Sequence, residues 1–500
     1  MKTFQKAIFA ITAAGAFLIS GDKVCATGLT LSSPDKSLEV TILIEDEITY
    51  RVSKSGETLL LPSPLSMTLK NKVLGNDATL VNKTVKPIAE VVRPVWGQFS
   101  EIDNSYNELQ LDFEGDYSLI FRAYDEGVAY RWKTDLDGNI VVESEEVSYR
   151  FDKQPDLWLP RKRSFETDWE KKNIQEMEGN RTYPGPLLIE LPRGNKALIT
   201  EADVLDYPTL FLKKEAPQES SIIGSFKRYP LRTKWGGFED LVQITMEAAD
   251  HIAETEGSRN FPWRILIVAE DDKALPDNQM VFKLAADQRI KDTAWIKPGK
   301  VAWEWWHNYK LDGVDFTPGV NTETYLYHVD FAEEFGLEYV LIDWKWTDLR
   351  DLTKVNPEVD IKGICQYAAE RDIKVIVWTP AYSLDMDLDN VLDLYKSFGI
   401  SGIKIDFFNR EDQLANRMYE RIAKAAADRK FIVNFHGCTK PNGLSKMYPN
   451  VLNYEAVRGN EHNKWKGISL EHHLHIPFIR MPCGTMDFTP GGMRNAGKGE

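Results

Sequence analysis

Two acidic residues stand where chemistry would need them. Asp406 lies near the end of the otherwise apolar run Gly402-Ile403-Lys404-Ile405-Asp406-Phe407-Phe408, and Glu461 closes Val451-Leu452-Asn453-Tyr454-Glu455-Ala456-Val457-Arg458-Gly459-Asn460-Glu461. Burying a carboxylate is costly, so each needs a partner or a task. The structural partners on offer are Lys404 or a helix cap for Asp406, and Arg458 for Glu455 or Glu461. The chemical task is glycosidic-bond cleavage, in which one carboxylate attacks or activates water while a second protonates the leaving oxygen. Carboxyls about 5 Å apart retain the anomeric configuration, and those about 6.5–9.5 Å apart invert it.

The neighbouring candidates suit a sugar. Strand ends supply Trp303, Glu304, Trp305 and Trp306, then Asp343, Trp344 and Trp346, then Trp378 and Tyr382, Lys404, and His436. Indole faces stack on pyranose rings, and charged groups bind hydroxyls. Lys404 lies two residues before Asp406 and so points to the same face of the strand. Asp406 and Glu461 are thus the candidate catalytic pair, with Lys404, His436, Trp303, Trp305 and Asp343 as candidate substrate-binding residues.

These residues need a scaffold that gathers strand ends. From about 295 onward, short apolar runs alternate with helical spacing, which implies a parallel sheet with crossover helices. The expected strands are 301–306, 339–344, 374–378, 402–407, 431–435, 451–454 and 476–480. Leu414, Met418, Ile422 and Ala425 mark one helix, and Val391, Leu394, Tyr395 and Phe398 another. No glycine-rich phosphate loop follows the first strand, which favours a closed (β/α)8 TIM-type barrel over a doubly wound sheet. Seven strands are legible, so the barrel reads as incomplete at its C-terminal end. Ahead of it, about 27–290 reads as strands with period two, such as Leu38-Glu39-Val40-Thr41-Ile42, and Tyr117 to Trp132 reads as a hairpin around Asp125-Glu126-Gly127. The expected domains are a leader at 1–26, a β-sandwich at 27–290 and the barrel at 291–500.

The leader has Lys2 and Lys6 ahead of an apolar run from Ala7 to Ser20 and a small-residue site at Val24-Cys25-Ala26, the pattern of a cleaved secretory signal. Asp22, Lys23 and Val24 argue against a lipidated Cys25. The expected location is periplasmic or secreted, with no membrane span. Cleavage removes three lysines and one aspartate and moves the formal charge from −15 to −17, which disfavours nucleic acid as a partner. Cys365, Cys438 and Cys483 then remain, with no CxxC spacing. Glu471-His472-His473-Leu474-His475 reads as a solvated loop rather than a zinc site.

Taken in order, these blocks resemble glycoside hydrolase family 97. The resemblance is carried by Val95-Trp96-Gly97, Phe121 to Arg131, Thr200-Glu201-Ala202-Asp203, Gly402 to Phe408, His436 to Gly443, Glu455 to Trp465 and Met486 to Gly491. It implies an N-terminal β-super-sandwich, a catalytic (β/α)8 barrel and a C-terminal β domain, the last absent here. The inverting branch of the family carries a base Glu after the fifth-strand histidine, where this chain has Gly437; the retaining branch carries an Asp at the fourth strand end, as Asp406 does. The resemblance therefore implies a retaining exo-α-glycosidase, foremost an α-galactosidase, with Asp406 as nucleophile and Glu461 as acid/base, acting on an oligosaccharide or glycoside. An α-glucosidase and a non-catalytic sugar-binding protein are the alternatives. It also implies a calcium ion held by Glu201, Glu455 and Glu461.

Overall fold

The computed structural model describes residues 28–491, so the expected leader at 1–26 lies outside the described residues. Between Leu29 and Ala269, eighteen strands join into one hydrogen-bonded system. Its spine is the 24-residue strand Gly127–Arg150, which pairs antiparallel with Glu57–Leu69, Tyr117–Tyr124, Ser221–Ser225, Ala253–Asn260 and Trp263–Ala269. The period-two pattern sets which face is buried. In Tyr106–Phe113, Leu109, Leu111 and Phe113 point inward and the residues between them are half-exposed. The expected hairpin forms with Tyr124 opposite Gly127. Gly127 has φ 156°, and a β-carbon there would meet Met280 Sδ at 2.5 Å and Leu266 O at 2.6 Å, so only glycine lets the backbones approach this closely.

The second half is a parallel sheet of six strands in chain order: β1 (Val301–Trp303), β2 (Tyr339–Ile342), β3 (Lys374–Pro380), β4 (Gly402–Asp406), β5 (Ile432–Phe435) and β6 (Val451–Tyr454). Helices cross between them. Thr322–Phe335 starts at Asn321, whose side chain accepts from Thr324 N, and stops at Gly336 in the left-handed conformation. Gln413–Asp428 starts at Asp412, which accepts from Ala415 N, and buries Ala415, Met418, Tyr419, Ile422 and Ala426 against the sheet.

The expected strand at 476–480 and the expected loop at 471–475 are instead one helix, Leu470–Ile479. Ser469 caps it by accepting from His472 N, and His472, Ile476 and Ile479 are buried at helical spacing. The apolar run that suggested a strand is the buried stripe of this helix. A single parallel bridge, Tyr454 to Met486, continues the sheet ten residues further on, in the place of a seventh strand.

The two halves share buried apolar surface. Tyr124, Trp263, Met280 and Leu284 pack with Val457, Ile476 and Ile479. A buried charge chain also crosses between them: Arg264 donates to Glu145 at 2.5 and 2.8 Å and to Glu201 at 2.7 Å, and Lys440 from beyond β5 donates to Glu201 at 2.6 Å. Two acids and two bases balance, which is what makes their burial tolerable. No helix among the described residues is long and apolar enough to cross a membrane.

Candidate active site

The parallel register brings the C-terminal ends of β1 to β6 to one rim. Asp406 is the last residue of β4. Its Oδ1 accepts from Phe407 N at 2.7 Å and its Oδ2 from Trp378 Nε1 at 3.1 Å, which fixes the carboxylate without a direct cation contact. Burial raises its pKa, opposed by the charges of His436 and Lys404. Gly437, one residue past His436, has φ +49°; a β-carbon there would lie 2.6 Å from Asp406 Oδ1 and 2.7 Å from Phe407 N.

Lys404 does not pair with Asp406. Its Nζ donates to Asp343 Oδ2 at 3.0 Å and lies 3.9 Å from the Trp303 ring centre. Burial alone would discharge it, yet the carboxylates of Asp343, Glu461 and Asp406 together hold it above its ordinary pKa. Asp343 Oδ2 also accepts from Trp303 Nε1 at 2.8 Å. Behind it, Glu304 Oε1 accepts from Asp343 N at 2.6 Å. Burial and then the Asp343 charge push the Glu304 carboxyl up to about 8.

Glu461 sits in a short 3-10 turn, Asn460–Lys464. Its Oε1 accepts from Trp305 Nε1 at 2.8 Å, and its N–H donates to Thr489 Oγ1 at 2.8 Å. Burial raises its pKa against the pull of Lys404, His436 and Lys464. Lys464 Nζ stands 3.6 Å from the Trp305 ring centre, holding that indole in place. Arg458, the possible structural partner, is taken by Asp168 at 2.7 Å instead. Asp406 and Glu461 therefore share the charged neighbours Lys404, His436 and Glu455.

His436 lies between two acids, with Nε2 2.7 Å from Asp487 Oδ2 and Nδ1 3.4 Å from Glu455 Oε2. Asn434 Nδ2 also donates to Asp487, at 2.7 Å. Although burial opposes it, these bonds hold Asp487 well below the usual carboxylate range. An ionised Asp487 can only accept, which places a proton on His436 Nε2.

Glu455 is ringed by other acids. It accepts from Gly437 N at 3.0 Å, and its pKa is pushed well up by burial and then by Glu166, Asp406 and Glu461. Glu166, Glu455 and His462 can each bring one ligand atom within 4.8 Å of the others, and so can His436, Glu455 and Glu461. A hard cation among these oxygens would relieve the repulsion.

Glu201, expected as a metal ligand, falls in neither of these groups. Both of its oxygens are taken by Arg264, Lys440 and Leu210 N, so a metal would have to displace two buried cations. The acid that the β half sends to the site is Glu166, from the loop before the strand Trp169–Asn173. Glu166, His462, Asp487 and Asn434 escaped the sequence reading. The first lies in a loop with no periodic signal, and Asp487 was legible only as part of the block Met486 to Gly491.

Comparison with known proteins adds to this geometry. The family described as Glycosyl-hydrolase 97 N-terminal matches residues 31–286, and Glycoside hydrolase 97 matches residues 303–457. The retaining alpha-galactosidase of Bacteroides thetaiotaomicron is 39% identical over 490 residues, 94% of this chain and 74% of that protein. A probable retaining alpha-galactosidase of Streptomyces bingchenggensis is 29% identical over 457 residues, 89% of this chain and 66% of that protein. A solved Glycoside Hydrolase Family 97 enzyme in complex with acarbose, from Pseudoalteromonas sp. strain K8, superposes with a TM-score of 0.81 at 23% identity, covering 93% of this chain and 74% of that one. At that identity the likeness speaks for the fold alone.

Proposed function

Since the chain belongs to glycoside hydrolase family 97, we propose that it is a retaining exo-α-galactosidase working by double displacement through a glycosyl-Asp406 intermediate. One observation carries the retaining assignment: the Asp406 carboxylate fills the space that any side chain at position 437 would need. In this backbone geometry a side chain at 437 would collide with the Asp406 carboxylate and with the Phe407 backbone. This chain has the carboxylate.

In the first step Asp406, held by Trp378 and Phe407 N–H, attacks the anomeric carbon as the bond to the leaving oxygen breaks. Glu461, whose burial favours its protonated form, gives its proton to that oxygen. In the second step Glu461 takes a proton from water, whose oxygen displaces Asp406 from the sugar. Lys404 and Asp343 supply a cation and an anion for hydroxyls, and Trp303 and Trp305 supply apolar faces.

Calcium fits the acid cluster. Glu455 can bring an oxygen within 4.8 Å of ligand atoms of Glu166 and His462 in one group and of His436 and Glu461 in another, and burial beside these acids raises its pKa. A bound Ca2+ would supply a fixed positive charge that favours the ionised form of Glu455. We further read β1 to β6 and the Met486 bridge as the first seven strands of a (β/α)8 barrel behind a β-super-sandwich, and the leader as export to the periplasm or beyond.

The experiment is proton NMR of the first anomer released from an α-galactoside, with Asp406→Gly alongside. Release of α-galactose by the unaltered chain, loss of turnover in Asp406→Gly and its recovery with azide are expected. First release of the β-anomer, or undiminished hydrolysis by Asp406→Gly, would overturn the proposal.

A further inference from the structure

The hairpin of Pro230–Gly236 and Val242–Ala248 belongs to the β half but forms its own two-stranded sheet. Its tip reaches the barrel rim and is clamped there. Arg350, in the loop after β2, lies over the Trp235 ring at 3.5 Å and donates to Asp240 O, while Arg410, after β4, donates to Gln243 O at 3.3 Å. The clamp sets the Phe238 ring 5.7 Å from Trp344 and 5.7 Å from Phe407. Both of those rings pack on Trp378, at 5.0 and 5.9 Å, and Trp378 donates to Asp406.

The four rings therefore climb outward from the nucleophile. Trp378 is 3% exposed, Trp344 and Phe407 are half-buried, and Phe238 is 61% exposed. An exposed aromatic that is rigidly held and continuous with a sugar site is an open stacking surface. Phe238 stands one ring further out than Trp344 and Phe407, which themselves pack on the indole that holds the nucleophile.

We propose that Phe238, supplied by the β half, is the platform on which the sugar on the leaving-group side of the scissile bond stacks, and so sets aglycone preference. This rests on the α-galactosidase reading above. The occupant is a pyranose presenting an apolar C–H face.

The test compares the full chain with Phe238→Ala and Phe238→Trp on an α-galactosyl disaccharide and on α-galactosyl fluoride, whose leaving group is too small to reach the hairpin. Phe238→Ala is expected to raise KM for the disaccharide about tenfold, the worth of one aromatic contact, and to leave the fluoride unchanged. Phe238→Trp is expected to restore it. An unchanged disaccharide KM, or an equal loss on both substrates, overturns the platform alone. Failure of the unaltered chain to turn over the fluoride removes the proposed function, and the platform with it.

Discussion

Gly437 and Asp406 occupy one small space, with the glycine's missing β-carbon 2.6 Å from the carboxylate oxygen it would displace. Position 437 is therefore tied to the nucleophile although it contributes no side chain.

Gly437→Ala tests that link. The added methyl collides with Asp406 Oδ1 and Phe407 N, and φ +49° is unfavourable for alanine. A shift of the nucleophile by a fraction of an ångström should lower kcat about 100-fold, with loss of roughly 1 kcal/mol of stability. Steady-state kinetics and thermal unfolding measure both. Undiminished kcat would show that Asp406 has room to spare.

Glu304 predicts a pH effect on stability. Its folded pKa, up to about 8, lies above its ordinary value of 4.5, so the folded state holds a proton that the unfolded chain releases. Stability should fall as pH rises from about 4.5 to about 8 and level off beyond. Glu304→Gln keeps an acceptor for Asp343 N without the proton and should flatten that slope. Equal slopes of Tm against pH in the two proteins would contradict this.

Glu201→Gln separates structure from metal binding. It leaves Arg264 and Lys440 without half of their balancing charge in the domain contact, which should cost about 3–5 kcal/mol. Calcium affinity by calorimetry should stay close to that of the unaltered chain. A specific loss of calcium with unchanged Tm would return Glu201 to the ligand set.

Glu166→Gln should do the reverse. Removing this carboxylate from beside Glu455 should weaken calcium binding at least about tenfold, with little loss of stability in excess chelator. Chelator should lower both Tm and turnover of the unaltered chain, and added calcium should restore both. Chelator-insensitive turnover would remove calcium from the account.

The sequence by itself determined the two halves of the chain and the strands whose polar ends meet at one rim. Alternation at period two in Leu38–Ile44 and apolar runs such as Gly402–Asp406 are local patterns, and local patterns survive into the fold because they decide which face is buried. Asp406, Asp343 and His436 were legible for the same reason, since a polar residue at the end of an apolar strand has one rim to occupy, whereas Lys404 lies within β4 and Glu461 in a turn beyond β6. The seventh strand was misplaced because the buried stripe His472, Ile476 and Ile479 of a helix and a short strand look alike over five residues. Only the tertiary structure decided pairings. It gave Lys404 to Asp343, Arg458 to Asp168 and Glu201 to Arg264 and Lys440, and it sent Glu166 and Phe238 from the β half to the rim. Which carboxylate meets which cation depends on distances between segments up to hundreds of residues apart, and those distances follow from packing the two halves together.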